Sequence, residues 1–375
     1  MRIVSVVGTR PQLIKAAALS PTLRLTHEEI LVDTGQHYDD ALAGAFFREL
    51  RLPPPDHALE VAAGSHAEQT AAMLTRLEPV ILDRSPDAVL IYGDTNSTLA
   101  GALVAAKLHV PVAHVEAGLR SFDRRMPEEL NRVVADHLST WLFAPTRTAV
   151  ANLRAEGITD GVTLVGDLMQ DLAARVGREV CHEDALAEAV DRLGGSGTAI
   201  ALSPGHYFFA TIHRAENRQP DALRAWAAMF DRVATPDRPL VLAVHPGTRR
   251  ALELERVATG PNVHIVEPQG YRTSLTLQLH AAAVLTDSGG VQREAAWLRV
   301  PCLVLRGTTE WVEAVADSGG RMVVVGLDAE AAVEALARLA PADSSDELAR
   351  TRAASFNLEP AGADRAIVAA LAPAA

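Results

Sequence analysis

The chain has few cysteines and no long apolar run. Only two of its 375 residues are cysteine, Cys181 and Cys302, and they stand far apart without CxxC or Cys/His spacing. This argues against a disulfide framework or a zinc site and is consistent with a reducing compartment. The first apolar run, residues 3–7, is too short for a signal-peptide core, and no later run approaches ~20 residues. We therefore expect a soluble, cytoplasmic protein without a membrane segment.

Positive charge is also scarce. The formal net charge is −12, which disfavours nucleic acid or an anionic membrane as partner, because those surfaces select clustered Lys and Arg. An anionic small ligand would need a local positive pocket. Neither a metal-ligand spacing nor a glycine-rich dinucleotide fingerprint occurs, so we expect no metal and no cofactor.

The order of apolar runs predicts two α/β domains. A chain of 375 residues is longer than a single core usually grows. Short β-branched runs alternate with helix-length segments, a pattern typical of parallel sheets covered on both faces. The predicted strands are residues 3–7, 30–33, 88–92, 112–115 and 162–165 in the first half, and 208–212, 240–244, 264–266, 284–286, 302–305 and 322–325 in the second. In such sheets ligands bind beyond the carboxyl ends of the strands.

In the first half, charged residues follow the predicted strands. Gly8-Thr9-Arg10-Pro11 leads into a helix that carries Lys15, which is either an anion site at a helix N-terminus or an ordinary turn with solvated charges. Asp94 and Glu116 follow two further strands, and Glu128 stands after a proline, where compensation of the helix dipole would also explain it. Carboxylates that converge beside a lysine are typical of proton-transfer sites.

In the second half, His213 and His245 each follow a strand, and neither has a partner at metal-ligand spacing. A lone histidine is more often structural than catalytic, but the strand-end position gives the catalytic interpretation equal weight. Ser288-Gly289-Gly290 marks a helix start at which a diphosphate can approach backbone donors, and Glu294 one turn later can accept from ribose hydroxyls.

In their order along the chain, these segments resemble the non-hydrolysing UDP-N-acetylglucosamine 2-epimerase family. The shared motifs are Gly8-Thr9-Arg10-Pro11 with Lys15, Thr34-Gly35-Gln36-His37, Gly93-Asp94-Thr95, His114-Val115-Glu116-Ala117-Gly118-Leu119-Arg120, Pro127-Glu128-Glu129, His213-Arg214, Asp287-Ser288-Gly289-Gly290 and Thr309-Glu310. The resemblance implies a GT-B-like α/β fold: two Rossmann-like doubly wound domains with the active-site cleft between them. It implies an N-terminal domain over 1–170 with the sugar-side carboxylates, a UDP-binding domain over 171–355, and a last helix in 356–375 that returns to the first domain.

The resemblance also implies roles for individual residues. The catalytic set would be Lys15, Asp94, Glu116, Glu128 and His213. The UDP-binding set would be Arg10, His213, Gln269, Ser288, Gly289, Gly290 and Glu294. A candidate effector site for a second UDP-sugar would include Gln36, His37 and His245, although the arginine pair of such sites is not evident near residues 65–75.

Some positions depart from the family pattern. Many members have Glu at the positions of Gln12 and Arg293, Asp at that of Gly307, and Arg-Pro where this chain has Trp311-Val312. Gln12 and Trp311-Val312-Glu313 resemble a branch that includes enzymes acting on UDP-2,3-diacetamido-glucuronic acid. The substituents at C3 and C6 of the sugar therefore stay open.

The expected reaction is inversion at C2 by elimination and re-addition of UDP. The C2 hydrogen is not next to a carbonyl, so elimination across C1 and C2 replaces simple proton abstraction. Carboxylates would move the proton while cations and backbone dipoles stabilise the leaving UDP. The alternatives are a hydrolysing epimerase that releases ManNAc and UDP, a GT-B glycosyltransferase, and a binding module without turnover. We also expect a homodimer, because the family is usually dimeric and the predicted helices over residues 99–108 and 133–142 are more apolar than a solvated surface needs.

Overall fold

The computed structural model describes residues 1–36, 47, 49–61, 64–182, 184–193, 200–214, 216–309, 311–341, 345–354 and 356–371. The chain divides into two compact units. The first comprises Met1–Leu172 and Glu359–Ala375, and the second comprises Ala173–Leu358. The roles expected from the sequence, sugar-side carboxylates in the first domain and UDP binding in the second, stay predictions.

The first unit is built on a parallel sheet. Its strands are β1 (Arg2–Val7), β2 (Glu28–Asp33), β3 (His57–Ala58), β4 (Ala88–Tyr92), β5 (Val112–Val115), β6 (Trp141–Ala144) and β7 (Val162–Leu164), in the spatial order β3-β2-β1-β4-β5-β6-β7. Its helices are α1 (Arg10–Leu23), α2 (His66–Arg84), α3 (Asn96–Lys107), α4 (Pro127–Leu138), α5 (Arg147–Ala155), α6 (Leu168–Val180), which continues into the second unit, and, after the second unit, α15 (Ala363–Leu371).

The second unit repeats the same strand order. Its strands are β8 (Phe208–Ile212), β9 (Leu240–Val244), β10 (Val263–Val266), β11 (Ala283–Thr286), β12 (Cys302–Val304) and β13 (Met322–Val324), in the order β10-β9-β8-β11-β12-β13. Its helices are α7 (Ala185–Asp191), α8 (Pro220–Val233), α9 (Pro246–Glu255), α10 (Tyr271–His280), α11 (Gly289–Trp297), α12 (Val312–Asp317), α13 (Ala329–Leu339) and α14 (Ser345–Ala354). Both orders are those of a Rossmann sheet, so the prediction of two Rossmann-like doubly wound units is confirmed.

The two faces of each sheet are covered, and this explains the continuous apolar runs of the sequence. In β4 all five residues are buried. In β8, Phe208, Ala210 and Ile212 pack into one core, while Phe209 packs into another on the opposite face. Successive side chains of a strand point to opposite faces, so a strand that is buried on both faces has no position for a solvated polar residue.

The prediction of one apolar helical segment over residues 133–142 is wrong. Helix α4 ends at Leu138, and Trp141–Ala144 forms strand β6, which pairs with β5 and β7. Val134, Leu138 and Leu142 keep the helical spacing in the sequence, so periodicity alone does not reveal the break. In addition, no helix within the described residues has the length and apolarity needed to cross a membrane.

The last helix packs on the first unit. Helix α15 contacts α1, and the Thr22 hydroxyl donates to the Asp364 carboxylate at 2.6 Å. The Asp171 carboxylate accepts from the backbone N–H groups of Gly362, at 2.8 Å, and Asp364, at 3.2 Å. These bonds fasten residues 359–371 to the unit that begins the chain.

Candidate active site

In the first unit, the point where chain connections diverge lies between β1 and β4, which are neighbours in the sheet. Ligands bind at such points, beyond the carboxyl ends of the strands. Gly8 follows β1 directly, and a Cβ there would lie 1.9 Å from the Thr34 hydroxyl oxygen, so only glycine fits. Arg10 begins α1, half-buried, at the helix end whose backbone N–H groups attract anions.

Lys15 and Glu116 form an ion pair beside this point. Lys15 is buried in α1, and its Nζ contacts the Glu116 carboxylate. Glu116 follows β5 with φ of +73°, a left-handed conformation that costs a non-glycine residue about 1–3 kcal/mol. A Cβ at Gly93 would lie 3.2 Å from Nζ and 3.3 Å from Glu116 Oε2, so a glycine turn covers the pair. The strained backbone holds the Glu116 carboxylate against the lysine.

Asp94 forms a second ion pair, with Arg132 of α4. The Asn131 amide also donates to the Asp94 carbonyl at 3.0 Å, and Arg132 Nη1 lies 3.2 Å from Glu129 Oε2. Burial opposes the charged form of Arg132, but Asp94 and Glu129 outweigh it and raise the pKa of the guanidinium. Arg132 is therefore a fixed positive charge that holds Asp94 at the end of β4.

The two adjacent glutamates of α4 have different environments. The Glu129 carboxylate is buried and accepts from the Ser121 N–H and hydroxyl, each at 2.9 Å, and from the Phe122 N–H at 3.0 Å. Glu128 is exposed, and its side chain makes no ion pair or hydrogen bond within the described residues. Glu129 thus orders the loop before α4, whereas Glu128 is left available for a ligand.

A buried network supports the loops that carry Asp94 and Glu116. His114 places Nδ1 2.7 Å from Asp136 Oδ1 and Nε2 2.7 Å from the Gly93 carbonyl. Arg120 Nη1 donates to Asp136 at 2.7 Å. Burial would raise the pKa of the Asp136 carboxyl, but His114 and Arg120 outweigh burial and lower it. Asp136 therefore stays ionised and ties the Gly93 turn to α4.

Gln12 bonds where a carboxylate would fit poorly. Its Nε2 donates to the Tyr92 carbonyl at 2.8 Å and to the Thr98 hydroxyl at 3.0 Å. A carboxylate has no hydrogen to donate to a carbonyl oxygen. The glutamine that departs from the family pattern thus pins α1 to the end of β4 by uncharged bonds.

The candidate effector residues are only partly described. Gln36 Oε1 accepts from the Ser97 N–H at 3.0 Å and the Ser97 hydroxyl at 2.8 Å, in the first unit. His245 caps α9 in the second unit, where its Nδ1 accepts from the Gly247 N–H at 3.1 Å. His37 and Glu310 lie outside the described residues. The effector role stays a prediction.

In the second unit, β8 and β11 are the corresponding neighbours, and Asp287 joins their ends. Its buried carboxylate accepts from His213 Nδ1 at 2.7 Å, the Arg214 N–H at 3.0 Å and the Asn217 amide at 2.9 Å. Burial would raise the pKa of Asp287, but His213 and Asn217 outweigh burial and lower it. The ionised carboxylate only accepts, so it assigns a proton to Nδ1 of His213 and fixes the ring. The His213 side chain is about half exposed.

The predicted diphosphate segment lies at the N-terminus of α11. Ser288 caps the helix and accepts from the Val291 N–H at 3.4 Å, while Gly289 and Gly290 form its first turn. The N–H groups of a first turn have no acceptor within the helix and can bind an anion. Glu294 is buried and accepts from the Gln278 amide at 2.6 Å. Gln269 is buried as well, and its amide donates to the Glu267 carbonyl at 2.7 Å.

Two departures from the family pattern contact each other. The Arg293 guanidinium lies over the Trp311 ring, 3.9 Å from its centroid, and both side chains are buried. The neighbouring Gln292 accepts from the Thr309 hydroxyl at 2.8 Å. A cation over an indole face is a favourable contact, and arginine also stacks on it. Together these contacts fasten the loop before α12 to the first turns of α11.

Several residues that organise the site were not among the candidates predicted from the sequence. Arg132, Asp136 and Asp287 make the ion pairs and hydrogen bonds that hold Asp94, the Gly93 turn and His213. Arg132 stands four residues after Glu128, and Asp287 precedes Ser288, so both lie close in sequence to residues that were predicted. The strand order was the missing signal, because it makes β8 and β11 neighbours. Within the described residues, no cluster of three or more His, Cys, Asp or Glu is arranged to hold a metal ion.

Comparisons with known proteins agree in naming one family. A family model described as UDP-N-acetylglucosamine 2-epimerase matches residues 23–372. A UDP-N-acetylglucosamine 2-epimerase homolog from Methanococcus maripaludis is 43% identical over 349 residues, covering 92% of this chain and 94% of that protein. A UDP-2,3-diacetamido-2,3-dideoxy-D-glucuronate 2-epimerase from Pseudomonas aeruginosa is 42% identical over 340 residues, covering 89% and 91%.

A solved structure extends the similarity to three dimensions. The crystal structure of Methanocaldococcus jannaschii UDP-GlcNAc 2-epimerase in complex with UDP-GlcNAc and UDP has a TM-score of 0.81 and 35% identity, covering 93% of this chain and 99% of that chain. The family model and these relatives span nearly the whole chain, including both strand-end sites. This protein belongs to the UDP-N-acetylglucosamine 2-epimerase family and is an epimerase.

Proposed function

We propose that the chain interconverts UDP-GlcNAc, or a close derivative, with its C2 epimer without hydrolysis. One observation carries the proposal: two carboxylates, Asp94 and Glu116, follow the neighbouring strands β4 and β5, and each is paired with a buried cation. Both ion pairs lie beside the point where the sheet binds ligands. A module that only binds a nucleotide-sugar has no need of two such groups.

The reaction proceeds by elimination. A carboxylate takes the C2 proton, the C1–O bond breaks, and the electron pair leaves with UDP, so that a glycal remains. A proton then returns to the opposite face of C2 while the UDP oxygen bonds to C1 again. Asp94, Glu116 and Glu128 form the proton-transfer set. Lys15 offsets the negative charge of the Glu116 carboxylate.

The second unit receives the leaving group. His213 and the α11 N-terminus at Ser288, Gly289 and Gly290 stabilise the diphosphate. Because Asp287 holds Nδ1 of His213, Nε2 is the nitrogen left for UDP. Glu294 binds the ribose and Gln269 lies by the uracil. The M. jannaschii relative, solved with UDP-GlcNAc and UDP, supports this assignment of ligand.

Acceptor-free incubation tests the proposal. UDP-GlcNAc is incubated with the protein and followed by proton NMR, and we expect UDP-ManNAc to form while the nucleotide stays attached. Free ManNAc with UDP would identify a hydrolysing epimerase. An unchanged C2 centre, with transfer only after an acceptor is added, would identify a glycosyltransferase. Binding of UDP-GlcNAc without any turnover would identify the protein as a binding module.

A second candidate substrate is UDP-2,3-diacetamido-2,3-dideoxy-glucuronic acid. The P. aeruginosa relative named for this sugar is 42% identical, and the stacked Arg293 and Trp311 both depart from the common family pattern. The test is competition between the two UDP-sugars in one reaction. A higher kcat/KM for the diacetamido-uronate would reassign the substrate while leaving the chemistry unchanged.

We propose further that the enzyme is a cytoplasmic homodimer. The apolar residues of 99–108 are mostly accounted for, because Ala100, Ala102, Val104 and Ala105 lie in the first unit's own core. An exposed apolar set remains on and before α4, at Phe122, Leu130 and Val134.

Cys181 and Cys302 are free thiols, which suits a reducing compartment. Light scattering should give twice 39.9 kDa, and Leu130→Glu should lower it, whereas a parent mass of 39.9 kDa would rule the dimer out.

A further inference from the structure

A pocket lies in the first unit at the carboxyl ends of β5, β6 and β7. Lys15 and Glu116 line one part of it, and Asp167, just after β7, contributes a further carboxylate. The Asp167 side chain is fixed by a hydrogen bond, since its Oδ1 accepts from the Met169 N–H at 2.8 Å. The polar part of the pocket therefore offers an ammonium donor and carboxylate acceptors.

The remaining lining is apolar. Phe143, Val165 and Leu168 are buried side chains, and Pro145 completes this wall. Neither a diphosphate nor a ribose would be matched by it, because both present oxygens that need donors or acceptors. The wall instead suits a small hydrocarbon group attached to a polar one.

We infer that this pocket takes the N-acyl substituent of the reacting sugar. An acylamino group presents a methyl, a carbonyl oxygen and an N–H. The apolar wall matches the methyl, the Lys15 ammonium matches the carbonyl, and the Asp167 carboxylate accepts from the N–H. The inference rests on the proposed function, because Glu116 must stand beside C2, the carbon that carries this substituent. Val165, Asp167 and Leu168 are then the residues that determine specificity for the acyl group.

Enlarging the pocket tests the inference. Leu168→Ala removes part of the wall, and Leu172→Ala is the matched control, since Leu172 is buried on the same helix but does not line the pocket. Each protein is assayed with UDP-GlcNAc and with UDP-N-butanoylglucosamine. Leu168→Ala should raise the butanoyl-to-acetyl ratio of kcat/KM at least ~10-fold, because a hydrophobic pocket discriminates one methylene by 10–200-fold. Leu172→Ala should leave that ratio at the parent value.

A ratio that stays constant in Leu168→Ala, or shifts equally in both variants, overturns the inference. Calorimetric binding of UDP, which lacks the sugar, serves as the folding control and should be unchanged. If Leu168→Ala does not fold, Val165→Ala opens the same wall and carries the same test. Should the parent turn over no UDP-sugar, the proposed function fails, and the pocket is judged by binding alone: tighter binding of UDP-GlcNAc than of UDP-glucose supports it, and equal affinity refutes it.

Discussion

Asp94→Asn separates the structural and the chemical role of the Asp94–Arg132 pair. The change removes one negative charge and keeps the shape of the side chain. Arg132 is buried, but it retains Glu129 at 3.2 Å, so its charge keeps a partner. We expect the free energy of unfolding to fall by about 1.5–3 kcal/mol, which is the range for a hydrogen bond to a charged group. The variant should therefore stay folded.

The chemical effect should be larger. If Asp94 takes part in proton transfer, exchange of the C2 hydrogen with solvent deuterium slows at least ~100-fold, the lower range for a general acid or base. UDP should bind with nearly the parent affinity, because Asp94 is not among the residues assigned to UDP. NMR in D₂O measures the exchange, and calorimetry measures UDP affinity.

Asp123→Asn is the matched control. It breaks another Asp–Arg pair, in which Arg125 Nη2 lies 2.7 Å from Asp123 Oδ2, but there the arginine is exposed. We expect it to exchange at the parent rate. If Asp94→Asn also exchanges at the parent rate, Asp94 only orients ligand or protein, and the role passes to Glu116 or Glu128. A parallel loss of UDP affinity and exchange would refute the assignment as well.

Three further predictions follow from single residues. His213→Ala should weaken UDP binding and lower kcat/KM, with a loss of transition-state stabilisation of about 2–4 kcal/mol. Calorimetry and steady-state kinetics measure the two effects, and unchanged UDP affinity would contradict the role. Burial lowers the pKa of His280 from 6.5 to about 4. The unfolded chain thus takes up that proton first as the pH falls, and up to roughly 3 kcal/mol of stability is lost between pH 6.5 and 4. His280→Leu should flatten this part of the Tm–pH curve, and an identical curve would count against it. Gly118 has φ of +83°, and a Cβ there would lie 2.4 Å from the Ala149 carbonyl, so Gly118→Ala should cost at least about 1–3 kcal/mol in urea unfolding, whereas a parent midpoint would refute the clash.

Much of the fold was predictable because strands buried on both faces leave unbroken β-branched runs. Residues 88–92, 112–115, 208–212 and 240–244 coincide with strands, and the GT-B-like class of two Rossmann-like units is confirmed. Strand β3 has two residues, too few for any periodicity. Strand β6 was missed because its pairing with β5 and β7 is non-local, while its apolar residues continue the spacing of the preceding helix.

The site was predictable as a set of residues but not as a set of pairs. Lys15 and Glu116 are far apart in sequence, and their contact depends on how α1 packs against β1 and β4. Arg293 and Trp311 were recognised as separate departures, yet they stack on one another. Such contacts depend on which face each helix turns toward the sheet and on the strained backbone at Glu116. Neither can be predicted from the local composition of the sequence.

The first unit is discontinuous in sequence, and this affects how the chain is made. Helix α1 is buried along most of its length, from Gln12 to Ser20, in a unit that is complete only when α15 packs on it. During synthesis, residues 173–358 must be translated in between, which takes roughly 10–40 s at ~5–20 residues per second. For that interval the nascent unit has no partner for the surface that Ile367 and Leu371 later cover. The second unit has no such gap, so it can finish folding before the domain that was translated first.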